Sequence, residues 1–321
     1  MKTLAELQAL YNERLVPELS TLEEKRKQIA NKLMIIGGVV LVSALLISIS
    51  VWSIKEEYVF YTVILAMVIC SGSYMFFTKD YRREFKASII EKIVKFVDEG
   101  LRYSATQCIP ESVFRSSEIF RIRPDRYRGE DCVEGDIDAT HIKFSEIHAE
   151  YKTESYSSKG GRRTQWHTIF KGLFFVADFN KNFSGKTIVL PDTAERLFGN
   201  FGSMFQSWNK TRGELIKLED PEFERLFVVY GDDQIEARYI LSTSLMKRIT
   251  EFRNRVNKQI FLSFIGSNII VAVSYQKNCF EPRVFKTIID FTPIQEYFED
   301  IKLVTGIVED LNLNLRIWGK A

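Results

Sequence analysis

Ser184-Gly185-Lys186-Thr187 has the ending of a phosphate-binding loop, in which backbone N–H groups cradle phosphate oxygens and a lysine reaches the outer phosphate. That chemistry needs a glycine five residues before Gly185 and a helix after the threonine. Position 180 is Asn180 and Ile188-Val189-Leu190 reads as a strand, so an ordinary turn is expected here. Asp232, Asp233, Glu236 and Arg238 follow Tyr230-Gly231 closely, and Asp178 and Asp192 would approach each other across neighbouring strands. Paired carboxylates can do acid–base work or hold a divalent cation. Turn chemistry and a surface ion pair account for the first group more simply.

The imidazoles are His141, His148 and His167, and in an extended segment the odd separation of the first two turns them to opposite faces. They are expected to be plain strand or loop histidines rather than metal ligands. The cysteines, Cys70, Cys108, Cys132 and Cys279, contain no C-x-x-C pair and read as free thiols of a reducing compartment. No Ser-His-Asp or Cys-His order can be assembled. Catalytic, cofactor-binding and metal residues are therefore left unassigned, and no cofactor is expected.

Lys159, Arg162 and Arg163, with Gly160 and Gly161 between them, form a basic cluster on a polar loop. It is the expected anionic contact, reaching headgroups or a phosphorylated partner, although a solvated loop tip explains it as well. Phe198, Phe201, Phe205 and Trp208 recur at helical spacing. Core packing is the expected use of that stripe, membrane contact the alternative.

Two uncharged apolar runs dominate the elements around these residues, 33–54 and 58–78, with Lys55-Glu56-Glu57 between them. At 1.5 Å per residue each is long enough to cross a bilayer core of roughly 30 Å. Lys25, Arg26, Lys27 and Lys32 precede the first run, Lys79, Arg82, Arg83 and Lys86 follow the second, and the turn has Lys55 alone. By the positive-inside rule both termini are expected in the cytoplasm, and the protein in the inner membrane with two spans. A long charged arm ahead of the first run argues against a cleaved signal peptide.

Before the runs, Leu4, Leu7, Tyr11, Leu15, Leu19 and Leu22 make a helical stripe; after them, Phe85, Ile89, Ile93 and Phe96 continue the second run as a helix. Pro17 is expected to start a fresh helix that continues into the first span. The two amphipathic helices are expected to pack antiparallel as a stalk, on each other or in a homo-oligomer. Ala44 and Ser48, and Ala66 and Cys70, offer close-approach faces inside the runs.

From about residue 105 short strands take over. Strands are expected over 137–151, 166–179, 186–190, 214–218, 223–230, 259–264 and 269–275, with 153–164 a flexible loop and Gly266-Ser267-Asn268 a hairpin turn. Helices are expected over 243–256, capped by Ser242, and from Pro293 to about 311. The fold class is α+β: a transmembrane helical hairpin with amphipathic juxtamembrane helices, followed by a cytoplasmic domain of largely antiparallel strands. The domains are an arm at 1–31, a hairpin at 32–79, a juxtamembrane helix at 80–104 and the α+β domain at 105–321. A formal net charge of +2 suggests neither a nucleic-acid binder nor an acidic tail.

Several strings extend this reading: Tyr11-Asn12-Glu13 with Leu15 and Pro17, Phe170-Lys171-Gly172-Leu173-Phe174-Phe175 running to Asp178-Phe179-Asn180-Lys181, and Leu218-Glu219-Asp220-Pro221-Glu222-Phe223 leading to Phe227-Val228-Val229-Tyr230. With Gln234-Ile235-Glu236-Ala237-Arg238-Tyr239-Ile240-Leu241 they resemble a bacterial two-span membrane protein family catalogued as domain of unknown function three-one-three-seven. The resemblance implies a membrane location, a cytoplasmic C-terminal domain and a bacterial origin, and it transfers no catalytic or binding residue. The expected function is a non-enzymatic, membrane-anchored interaction or scaffold protein, its partners the bilayer and a protein or a second copy through the stalk. The alternative is a membrane-bound enzyme acting on a lipid or nucleotide. A transporter is disfavoured because neither run carries a charge.

Overall fold

The computed structural model describes residues 2–52, 57–156, 161–179, 182–192, 213–311 and 313. They form two compact units, Met1–Ile93 with Phe280–Tyr297, and Val94–Cys279 with Phe298–Ala321. Residues 280–297 thus group with the helices.

The helical unit is built on two long rods. Helix α1 (Leu4–Leu10) begins at a reciprocal capping box, in which Glu6 N–H donates to Thr3 Oγ1 at 3.3 Å and Thr3 N–H to Glu6 Oε2 at 2.8 Å. A π-helical turn over Tyr11–Leu15 leads into α2 (Val16–Trp52). Pro17 has no N–H to offer the preceding turn, and a widened turn directly before it lets the rod continue. The other rod is α3 (Glu57–Phe85), a π-helical turn over Lys86–Ile90, and α4 (Glu91–Val97).

The rods run antiparallel, because partners climb one as they descend the other: Glu18 with Lys92, Lys25 with Glu84 at 2.5 Å, Ser48 with Thr62 at 2.8 Å. Leu7, Tyr11, Leu15, Leu19 and Leu22 are buried on the first, Tyr81, Phe85, Ile89 and Ile93 on the second, so both expected stripes are covered faces; Leu4 is exposed. Further along, the pattern inverts. Ala44, Ser48, Thr62, Ala66 and Cys70 are half-buried along the seam while the large apolar residues around them face outward.

The sheet unit is the α+β part, with nine antiparallel strands in the order β1-β2-β3-β4-β9-β8-β5-β7-β6. Their spans are β1 Arg102–Ser104, β2 Arg126–Ile137, β3 Thr140–Tyr156, β4 Arg162–Asp178, β5 Lys186–Pro191, β6 Glu214–Ile216, β7 Phe227–Gly231, β8 Ile260–Ile265 and β9 Asn268–Ser274. Gly172 is indispensable to the β4–β9 pairing: it sits at φ +153°, and a Cβ there would lie 2.0 Å from the Val273 carbonyl oxygen. One face of the sheet buries an aromatic group. Phe120 lies 4.9 Å from Phe170 and 5.1 Å from Phe114 and Phe261, ring centre to ring centre, over Ile147, Ile188 and Ala272.

Several expected boundaries change. Strand β2 replaces an unassigned stretch; its charged sequence hides an alternation that only pairing with β3 reveals. Strands β3 and β4 run into the expected flexible loop, pairing as far as Tyr156 with Arg162. The expected strand at 223–230 is half helix: Asp220 accepts from the N–H groups of Glu222 and Phe223 and Pro221 opens α6 (Pro221–Leu226), so β7 starts only at Phe227. Helix α7 (Gln234–Ile240) was not foreseen, whereas Ser242 caps α8 (Thr243–Val256) at the expected place. The last expected helix begins at Phe291 as α9 (Phe291–Thr305) and breaks at Gly306 before α10 (Ile307–Asp310).

Candidate functional site

The sheet unit carries a basic cleft, and its walls come from segments far apart in sequence. Helix α5 (Glu111–Ser116) leaves Pro110 and buries Phe114, which turns Arg115 outward in its last turn. Glu118 then takes the left-handed conformation, φ +53°, and stops the helix. The chain continues with Ile119 and Phe120 in the core, so Arg121 and Arg123 fall on the outer side. Lys186 arrives from the first position of β5. The cleft holds about 370 Å³, with Arg115, Arg121, Arg123 and Lys186 around a floor that includes Phe120 and Ile122.

Glu118 ties the two walls together, its Oε2 accepting from Lys186 Nζ at 2.6 Å and from Arg121 Nη2 at 3.2 Å. Asp232 stands 3.9 Å from the same lysine. Arg115 and Arg123 are exposed beside them. Planar guanidinium forks match the paired oxygens of a carboxylate or phosphate. The chemistry on offer is binding of an anionic group.

Beside the cleft, the Ser184–Gly185 turn is an anion cradle already filled from within. The N–H groups of Ser184 and Gly185 donate to the two oxygens of Glu236 at 2.8 and 2.9 Å, where a phosphate-binding loop would hold its ligand. Asp233 caps α7 by accepting from Ile235 and Glu236 N–H, and Arg238 donates to the Lys217 carbonyl. The carboxylates after Tyr230 therefore do turn and capping work. Asp178 and Asp192 are not brought together: β4 and β5 are separated by β9 and β8, and the register puts the two aspartates at opposite ends of the sheet.

Among the expected anionic contacts, Arg162 is ion-paired with Glu154 across the β3–β4 hairpin, Arg163 faces solvent opposite Ser155, and Lys159 lies outside the described residues. The aromatic residues Phe198, Phe201, Phe205 and Trp208 lie outside them as well. His141 sits beside Asp136 at 2.8 Å, His148 is half-buried on β3, and His167 stacks on Tyr151 at 5.0 Å. Burial lowers the His148 pKa from its ordinary value. Burial also pushes the thiols of Cys108, Cys132 and Cys279 up, away from reactive thiolate. Among the described residues no three His, Cys, Asp or Glu side chains are grouped to hold a metal.

Arg115, Arg121 and Arg123 were missed although a signal was present. Five arginines fall between positions 115 and 128, a denser basic stretch than the one around Arg162. Two of them are spent otherwise than in the cleft: Arg126 lies 3.7 Å over the Trp166 ring and bonds Glu150, and Arg128 faces His148 in the β2–β3 ladder.

Residues 168–313 match the model of a family described as "Protein of unknown function (DUF3137)". The match supports the family resemblance drawn from the sequence over those residues, which include neither the arm nor the apolar runs. No curated protein matches the chain. Among solved structures, the crystal structure of the mycobacterial trehalose monomycolate transport factor A, TtfA, is similar at 8% identity and a TM-score of 0.33, covering 68% of this chain and 96% of that one. A likeness that slight carries no argument.

Proposed function

We propose that the chain is a membrane-anchored, non-enzymatic interaction protein: α2 and α3 cross one bilayer, the termini and the sheet unit lie on the cytoplasmic side of the inner membrane, and the basic cleft takes an anionic group of a partner. The observation that carries the anchoring is the inverted burial along the rods. Leu45, Phe60 and Phe76 are 62%, 66% and 76% exposed while Ala44, Ser48, Thr62 and Ala66 line the seam. Water would drive the opposite arrangement, whereas in lipid, helices associate through small and hydroxyl residues and leave large apolar side chains outside. Two helices of this length and hydropathy are weak support alone; their facing pattern strengthens it.

An enzymatic reading would need carboxylates free to act, and Asp233 and Glu236 are engaged as caps and internal ligands. The interaction reading needs only a domain with an available charged surface.

Two measurements test it. In intact cells, an impermeant maleimide should label a cysteine placed at Glu56 and spare one placed at the exposed Tyr239; the reverse pattern overturns the orientation. In pull-downs from native membranes, Arg115→Glu/Arg123→Glu should lose partners that the parent chain recovers. Recovery of the same partners by this variant removes the cleft from the reading.

A further inference from the structure

Residues 280–290 have neither helix nor strand, yet they are fastened to the rods at five points. Arg26 Nη1 donates to the Val284 carbonyl at 2.7 Å, Tyr81 Oη to the Arg283 carbonyl at 3.1 Å, and Ile288 N–H to Glu23 Oε2 at 3.1 Å. Glu281 pairs with Lys86 at 3.1 Å and Arg82 at 3.2 Å. Glu23 and Arg26 are themselves a buried pair with two parallel contacts of 2.8 Å. Val284 and Ile288 point inward and are buried. What this strap displays outward is apolar and basic: Phe285 is 62% exposed and Ile289 39%, with Lys286 exposed between them.

A phenylalanine held rigidly in the open is unfavourable in water, where its burial would contribute about 2 kcal/mol. The level at which it is held supplies the reason. Phe285 stacks on Tyr74, ring centres 6.2 Å apart and 22° from parallel, and Tyr74 lies one helical turn inside the end of the second apolar run. Cations mark that end: Arg82 is 5.4 Å over the Tyr74 ring and Lys32 is 6.0 Å from the Phe77 ring. Phe285 is therefore continuous with the outward apolar belt of α3, at the depth where the run gives way to charge. Aromatic rings with lysine beside them are the residues that settle at the boundary between acyl chains and headgroups.

We propose that the strap is an interfacial anchor, with Phe285 and Ile289 entering the acyl–headgroup boundary of the bilayer that α2 and α3 cross and Lys286 at headgroup phosphates. This rests on the membrane reading above, and the two can fail separately. The test places the photo-cross-linker p-benzoylphenylalanine at Phe285, at Ile64 in the second span or at Tyr239 in the sheet unit of the full chain in native membranes. The Phe285 side chain is exposed, so the replacement removes no core contact. Lipid adducts are expected at 285 and 64 and absent at 239. A lipid adduct at 64 with none at 285, or a protein adduct in its place, overturns the anchor and leaves the spans standing. No lipid adduct at 64 overturns the membrane reading and the anchor with it.

Discussion

The apolar runs and the sheet use the same large apolar residues in opposite ways. In the sheet unit Phe114, Phe174 and Phe264 are wholly buried, and charged side chains cover the outside. Along the apolar runs of α2 and α3 large side chains such as Leu45, Phe60 and Phe76 are outside, and the small Ala44 and Ala66 are half-buried at the seam. One chain cannot satisfy one solvent with both arrangements. The difference teaches that the two regions follow opposite packing rules, which supports the proposal that the apolar runs sit in lipid and the strands in water, and the size of a mutation's effect tests it.

The largest expected contrast comes from truncating one residue of each kind. Phe174→Ala opens a cavity beneath the aromatic group and should cost about 3–5 kcal/mol in urea unfolding of the detergent-solubilised chain. Leu45→Ala exchanges one outward-facing apolar group for a smaller one and should stay within about 0.5 kcal/mol if that face meets lipid as proposed. Equal losses would break the comparison.

Next in size is the charge buried where the rods leave their apolar runs. Arg26→Ala leaves Glu23 buried without its partner and frees the Val284 carbonyl, for an expected loss of about 3 kcal/mol, the low end for broken buried pairs since some exposure remains. Proteolysis within 280–290 should rise with it. Replacing both, Glu23→Leu with Arg26→Met, should restore most of the protection, because no lone charge is then left. If the double replacement were as susceptible as Arg26→Ala, packing rather than charge would hold the strap.

A smaller effect is expected at the seam. Ser48→Leu puts a large side chain where Ser48 meets Thr62 and should cost about 1–2 kcal/mol of helix pairing. The readout is oxidative cross-linking of Ala44→Cys with Ala66→Cys, which should slow several-fold. An unchanged rate would mean that the seam is looser than its half-buried small residues indicate.

These regions also differ in how far the sequence disclosed them. The stripes of Leu7 to Leu22 and Phe85 to Ile93 were visible because helical period writes a buried face directly into spacing. Ser242 was visible because a cap acts within three residues. Helix α6 should have been seen for the same reason, since Asp220-Pro221 announces it; the apolar Phe223 and Phe227 to Tyr230 masked that signal by reading as one strand. The run of arginines could have been read, but its meeting with Lys186 could not, because Glu118 and Lys186 pair across 68 residues of sequence. The strap was equally hidden. Arg26 reads as one more positive charge before a span, and nothing local says that its partner in space is the Val284 carbonyl.

Acid should separate the two units last and most finely, because their perturbed groups lose protection in different ranges. Bonding to Arg26 holds the Glu23 carboxyl below its usual range, so its contribution is complete above a carboxylate's ordinary pKa and fades as pH falls below about 4.3. His148 is depressed by burial instead: the unfolded chain binds its proton first, so the sheet unit should begin to weaken as pH drops below about 6.5, where the carboxylate contribution is intact. Hydrogen exchange followed by mass spectrometry between pH 7 and 5 should therefore show opening of β3, after correction for intrinsic rates, while the Ile288 amide stays protected. His148→Gln should flatten the first response. If Ile288 lost protection over the same mild range and His148→Gln changed nothing, the acid sensitivity would belong to the strap and the assignment of the two windows would be reversed.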